Sequence, residues 1–255
     1  MPPSQRRAAL VTGASSGIGA AITQRLAADS IDVLAVDLKP AETLIESTAR
    51  VVPFAADLTT RDGNEAAVEA AIDEFGRLDI IVANAGFQHV APIAEFPVDR
   101  WDALLALLLT SPFLLARFGW NWLVDAPLGG RFLVVASAHA LVASPYKAGY
   151  VAAKHGALGL VKTLALEGAD KGISATAICP GYVRTPLVEA QVAAQALAHN
   201  LSEDRVLEDV ILAAQPVKRL IEPSEVAEVA AFLVGPNGRS FTGVPVTMDQ
   251  GWTAR

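Results

Sequence analysis

Tyr150 and Lys154 stand four residues apart in "SAHALVASPYKAGYVAAKHG", residues 137–156. On a helix the two side chains lie one above the other on one face. A phenol, with a reference pKa of about 10, is a poor base at neutral pH. An ammonium one turn away favours the phenolate, and the pair could then take up and return a proton. Ser137, which closes an apolar run, adds a hydroxyl able to steady charge on a reacting oxygen. The same residues could instead be the polar surface of a helix. The choice depends on what the rest of the chain supplies.

The elements that would position them alternate along the chain. Apolar runs at 8–12, 31–37, 50–58, 78–86, 130–137, 173–181 and 243–249 read as strands. Helical periodicity follows at 17–28, 64–75, 98–122, 148–168 and 223–234, with a helical region of uncertain limits over 187–214. Strands that are apolar throughout and alternate with helices predict an α/β chain. The expected fold is a single-domain, Rossmann-type, doubly wound parallel sheet over 1–255, with about seven strands and helices on both faces. Ligands in such sheets bind at the carboxyl ends of the strands.

A glycine-rich turn lies at that end of the first strand. "TGASSGIG" (12–19) supplies Gly13, Gly17 and Gly19, for a tight turn, for approach of backbone to a pyrophosphate and for close helix packing. The helix start offers free N–H groups to phosphate. Asp37 ends the second strand, where a carboxylate can accept from ribose hydroxyls and repel a 2′-phosphate, which favours NAD over NADP. Lys39 is a nearby counter-argument. Asp57 and "NAG" (84–86) fall after the third and fourth strands, where adenine and ribose contacts are expected.

Composition narrows the classes. The chain has 255 residues, 52% of them apolar, and a formal net charge of −7, which argues against nucleic acid and anionic membrane partners. Cys179 is the one cysteine, so no intrachain disulfide and no cysteine-based zinc site can form; no metal is expected, and the compartment is read as cytoplasmic. No signal peptide is visible before the first strand. The run "LLALLLTSPFLLARF" is expected to be too short and too interrupted, by Thr110, Ser111 and Pro112, to span a bilayer.

"TGASSGIG", "NAG", Ser137, "YVAAK" (150–154) and "PGYVRT" (180–185) together resemble the short-chain dehydrogenase/reductase family over essentially the whole chain. "GFQH" (86–89), "SAHALVAS" (137–144), "ICPGYVRTPLVEAQ" (178–191) and the terminal "GWTAR" resemble one branch of it, the bacterial D-3-hydroxybutyrate dehydrogenases. The resemblance implies NAD-dependent hydride transfer with Ser137, Tyr150 and Lys154 catalytic. It implies cofactor contacts from Gly13, Ser15, Ser16, Gly17, Ile18, Gly19, Asp37, Asp57, Leu58, Asn84, Ala85, Gly86, Tyr150, Lys154, Pro180, Gly181, Val183 and Thr185. For a small anionic hydroxy-acid substrate it implies Gln88, Ser137, His139, Lys147, Tyr150, Tyr182 and Gln191, under a lid near 187–214. A homotetramer is implied as well, paired through the helices near 98–122 and 148–168. Alternatives remain: a dehydrogenase for another alcohol or a sugar, or a catalytically weakened cofactor-binding protein.

Two positions depart from the pattern. Tyr182 stands where the branch has tryptophan. Leu108 stands where the family has asparagine, which in members that have it opens the helix so that its backbone carbonyl holds a water feeding protons to the lysine, here Lys154. Pro112 lacks an N–H and clashes with the carbonyl four residues back, that of Leu108, so it is expected to free the same acceptor by another route.

Overall fold

The computed structural model describes residues 6–40, 47–199 and 201–254. Its strands are β1 (Ala8–Thr12), β2 (Asp32–Asp37), β3 (Val51–Ala55), β4 (Ile80–Ala83), β5 (Arg131–Val135), β6 (Ser174–Pro180) and β7 (Pro245–Met248). They form one parallel sheet in the order β3-β2-β1-β4-β5-β6-β7. The helices are α1 (Gly17–Ala28), α2 (Arg61–Phe75), α3 (Val98–Leu105), α4 (Ser111–Val124), α5 (Ala148–Gly168), α6 (Pro186–His199), α7 (Glu203–Val206) and α8 (Pro223–Val234). This is the Rossmann-type doubly wound arrangement expected from the alternation.

The reason lies in the strands. Every residue of β1, β4, β5 and β6 is buried, as strands covered on both faces require. On one face Ala67 of α2, Leu115 of α4 and Val161 of α5 pack against Leu10 and Ile81. On the other, Ile22 of α1 and Val226 of α8 pack against Val11 and Val82.

The edge strands differ in burial and both hold a proline. Arg50 accepts from Val33 N and Ala56 donates to Asp37 O, so even-numbered positions of this strand face β2 and Pro53 faces outward. Val244 and Met248 accept from Ala177 N and Gly181 N, so Pro245 likewise faces away from β6.

The helix expected over 98–122 is not uniform. A π-turn, Ala106–Thr110, joins α3 to α4, and the Ser111 N–H reaches back to the carbonyl of Ala106. Pro112 offers no N–H, so the carbonyls four and five residues earlier, Leu108 and Leu107, receive nothing from it. The whole segment Val98–Val124 spans 27 residues and is, by length and composition, apolar enough to cross a membrane. This corrects the expectation that the run is too short and too interrupted: the π-turn carries the helix past Pro112. Leu104, Leu108, Leu115 and Leu123 are buried against the rest of the fold.

The region read as a lid consists of α6, α7 and a second π-turn, Leu207–Ile211; residue 200 within it lies outside the described residues. Val192, Val206, Ile211 and Leu212 make a small core of their own, against which Tyr182 packs.

Candidate active site

The chain reverses its winding between β1 and β4, because α1 covers one face of the sheet and α4 the other. A crevice therefore opens at the carboxyl ends of these two strands. Thr12 fastens its sides together: its Oγ1 accepts from Asn84 N at 2.9 Å and from Ala85 N at 3.0 Å, while Asn84 Nδ2 donates to Thr12 O at 2.9 Å.

The glycine turn fits a dinucleotide on geometric grounds. Gly13 has φ +64°, and a Cβ there would meet Asn84 and Ala85 at 2.9 Å. At Gly19 a Cβ would lie 2.0 Å from the Gly13 carbonyl oxygen. A side chain at Gly13 would push the turn off the residues that follow β4, and one at Gly19 would force helix and turn apart. A cavity of about 570 Å³ opens over this turn.

Gly13, Ser16, Gly17, Ile18, Asp37, Asp57, Leu58, Asn84, Ala85, Gly86, Tyr150, Lys154 and Thr185 all line that cavity. Ser15 and Gly19 belong to the same turn but do not line the cavity. The Ser15 N–H donates to Asp37 Oδ2 at 3.2 Å, and Lys39 N donates to Asp37 Oδ1 at 3.2 Å, so the carboxylate is held at the turn. Thr59, through its hydroxyl and its N–H, holds the Asp57 carboxyl below the usual range.

Pro180, Gly181 and Val183 line instead a smaller chamber of about 130 Å³. Gln88, Ser137, His139, Lys147, Tyr150, Tyr182 and Gln191 line it too, so all seven residues expected at a substrate are brought together. Tyr150 borders both spaces.

Lys147 is the only charged side chain on the chamber wall, and no carboxylate faces it among the described residues. Gln88 Nε2 is buried with no hydrogen-bond partner, a cost a protein bears when a ligand supplies the acceptor. Lys147 Nζ donates to the Tyr182 hydroxyl at 3.2 Å. Tyr182 stacks on Trp252 at 5.7 Å and 3°, and Trp252 meets His139 edge-on at 5.0 Å.

The catalytic candidates are desolvated. Burial pushes the Tyr150 phenol up to about 12, and a hydrogen bond with Ser137 opposes this. Burial pulls Lys154 down to about 8. Lys154 Nζ lies 5.6 Å from the Tyr150 ring centre and donates to the Val135 carbonyl at 2.8 Å. His139 is held down to about 4, first by burial and then by the charges of Lys147 and His155. Its imidazole is therefore neutral at pH 7, with Nδ1 at 3.4 Å from Ser137 Oγ and Nε2 at 2.9 Å from Ser144 Oγ.

Residues 7–196 match the sequence model of the short chain dehydrogenase family. The chain belongs to that family. This short-chain dehydrogenase is 40% identical to the D-beta-hydroxybutyrate dehydrogenase of Rhizobium meliloti (strain 1021), over 98% of its own length and 99% of the relative's. It is 40% identical to the D-beta-hydroxybutyrate dehydrogenase of Cupriavidus necator, over 98% of each chain. The crystal structure of levodione reductase superposes on it with a TM-score of 0.88 at 29% identity, over 97% of this chain and 98% of that one. The short-chain dehydrogenase is thus an oxidoreductase by family, and its sheet is the one that family builds.

Sequence reasoning did not single out Trp252 or Ser144. The terminal "GWTAR" was a usable signal for the first. For Ser144 the spacing from His139 is uninformative, because only the fold of the loop brings the two together.

Proposed function

We propose that this short-chain dehydrogenase oxidises a small anionic 3-hydroxy acid, D-3-hydroxybutyrate, to its keto acid with NAD. The observation that carries the reading is the chamber wall. In a protein of net charge −7, the only charged side chain lining the chamber among the described residues is an ammonium, and a buried amide donor on the same wall lacks a partner. Such a wall suits a carboxylate. The similarity to two D-beta-hydroxybutyrate dehydrogenases supports the choice of acid and of its enantiomer.

In this reading the Gly13–Gly19 turn, Asp57, Leu58, Asn84–Gly86 and Thr185 hold the dinucleotide, and Asp37 selects NAD by accepting from the ribose hydroxyls. Pro180, Gly181 and Val183 contact the cofactor from the chamber side, where Tyr150 and Thr185 border both spaces. A dinucleotide held by these residues would supply the acceptor for the hydride of the substrate carbon. Tyr150 Oη takes the proton of the substrate hydroxyl. Ser137 Oγ donates to the same oxygen as its charge develops. Lys154, charged at neutral pH, favours the phenolate against the effect of burial. Lys147, Gln88 and Gln191 orient the carboxylate, and Tyr182 with Trp252 bounds the acyl chain. The segment 187–214 closes over both ligands as a lid on a single 1–255 domain.

The reading extends to assembly and location. The outward faces of α4 and α5 expose Phe113, Trp122 and Leu166, which supports pairing of these helices in a homotetramer. The buried lone thiol of Cys179 suits the cytoplasm, with neither nucleic acid nor membrane as partner. The deciding experiment follows NADH formation with both enantiomers of 3-hydroxybutyrate and with 2-butanol. The D-acid should be turned over well and the neutral alcohol poorly; equal turnover of the alcohol removes the argument.

A further inference from the structure

Ser144 contacts no part of the cofactor cavity, yet its hydroxyl lies 2.9 Å from Nε2 of His139. The opposite ring nitrogen, Nδ1, lies 3.4 Å from Ser137 Oγ. The backbone N–H of His139 also donates to Ser137 Oγ, at 3.1 Å. Ser137 in turn stands beside Tyr150 on the chamber wall and opposes the rise of the phenol's pKa. These contacts form a chain from a loop serine to the reacting oxygen, and its polarity depends on one proton.

A hydroxyl has one donor and two acceptor sites. If His139 carries its proton on Nδ1, Ser137 Oγ accepts twice, from Nδ1–H and from the backbone N–H. Its own proton is then left to point at Tyr150 and at the substrate oxygen. If the proton sits on Nε2, the Ser137 hydroxyl donates to Nδ1 instead, and the reacting oxygen loses its donor. A neutral imidazole in water prefers the Nε2–H form, so the productive tautomer needs a donor at Nε2. The Ser144 hydroxyl, 2.9 Å away, is placed to supply one, and a tautomer follows the bond made by the other nitrogen.

The geometry points to Ser144 as a positioning residue that fixes the Nδ1–H tautomer of His139 and thereby aims the Ser137 hydroxyl at the reacting oxygen. This deepens the dehydrogenase reading and rests on it for its effect on turnover. It also gives His139 a task distinct from contact with a carboxylate, since both ring nitrogens are engaged.

The test has two arms on the full-length enzyme. The first is 15N NMR of histidine-labelled protein without substrate; the chain has four histidines, and His139→Gln assigns the signal. Wild type should show Nδ1–H, Ser144→Ala should shift toward Nε2–H, and Ser144→Thr should restore the wild-type pattern. The second is steady-state oxidation of 3-hydroxybutyrate. Ser144→Ala should lower kcat about tenfold, less than the ~10²–10³ of deleting an oxyanion donor outright, leave NAD affinity unchanged, and recover in Ser144→Thr. An Nε2–H signature in the wild type overturns the inference. So does a Ser144→Ala enzyme that keeps the wild-type signature and turnover. If the wild type fails to oxidise 3-hydroxybutyrate, the substrate reading falls while the ring signature still decides this inference.

Discussion

Lys147 donates its ammonium to the hydroxyl of Tyr182, 35 residues further along the chain and 3.2 Å away. The same ring stacks on Trp252, so the charge is held at the chamber wall by a group that itself cannot move freely. Lys147→Ala should raise KM for 3-hydroxybutyrate by roughly 10- to 100-fold, the size of a lost charged hydrogen bond of ~1.5–3 kcal/mol. NAD affinity should stay as it is. Tyr182→Phe frees the ammonium and should leave KM within a few-fold of wild type. Steady-state kinetics at saturating NAD separate the two.

Asp37 accepts from the N–H groups of Ser15 and Lys39 at the cavity edge. Its carboxylate is thus held at the cavity edge, where the proposed NAD reading puts the adenosine ribose. Wild type should prefer NAD, and Asp37→Ala should narrow the NAD/NADP ratio of kcat/KM by about tenfold or more. A wild-type preference for NADP defeats the assignment.

His139 links stability to pH. Its pKa falls from 6.5 to about 4 on folding, through burial first and the charges of Lys147 and His155 next. The unfolded chain therefore takes up a proton below pH 6.5 that the folded chain refuses. Stability is full above that value and declines as pH falls toward 4, by an amount on the order of 3 kcal/mol. Urea titrations across this range should show the slope, and His139→Gln should flatten it.

Pro112 leaves the Leu107 and Leu108 carbonyls without a bond from residue 112, and Leu108 lines the same cavity as Lys154. Pro112→Ala restores the missing N–H. Turnover should drop with little change in NAD affinity, and Leu108→Asn should gain little. A fully active Pro112→Ala enzyme would show that the proline serves only the shape of the helix.

The segment formed by α6, α7 and the π-turn at Leu207–Ile211 carries Gln191 and Val188 on the chamber wall. Amide hydrogen exchange there should slow when NAD and a keto-acid analogue are added together. Identical exchange with and without ligands counts against closure.

Much of this arrangement was legible in the residues. Each strand is an apolar run bounded by turn residues, so seven strands and their alternation with helices could be read directly, to within a few residues. Gly13 and Gly19 were legible because no other residue fits where they lie. The π-turn was not: Pro112 announces a missing hydrogen bond, but whether a helix ends, kinks or gains a residue depends on what packs beside it. Ser144 was hidden for a different reason. Its partner is chosen by a loop whose path no periodicity encodes.

The two outward-facing prolines, Pro53 and Pro245, sit on the two strands that a parallel sheet leaves open. Each removes an N–H from the row through which an eighth strand would dock. A sheet this apolar would otherwise be a template for strands of other molecules, including half-folded copies of itself. Replacing both prolines would be expected to raise the tendency to aggregate during refolding while leaving the folded monomer's contacts in place, so these edges guard the chain when it is most exposed.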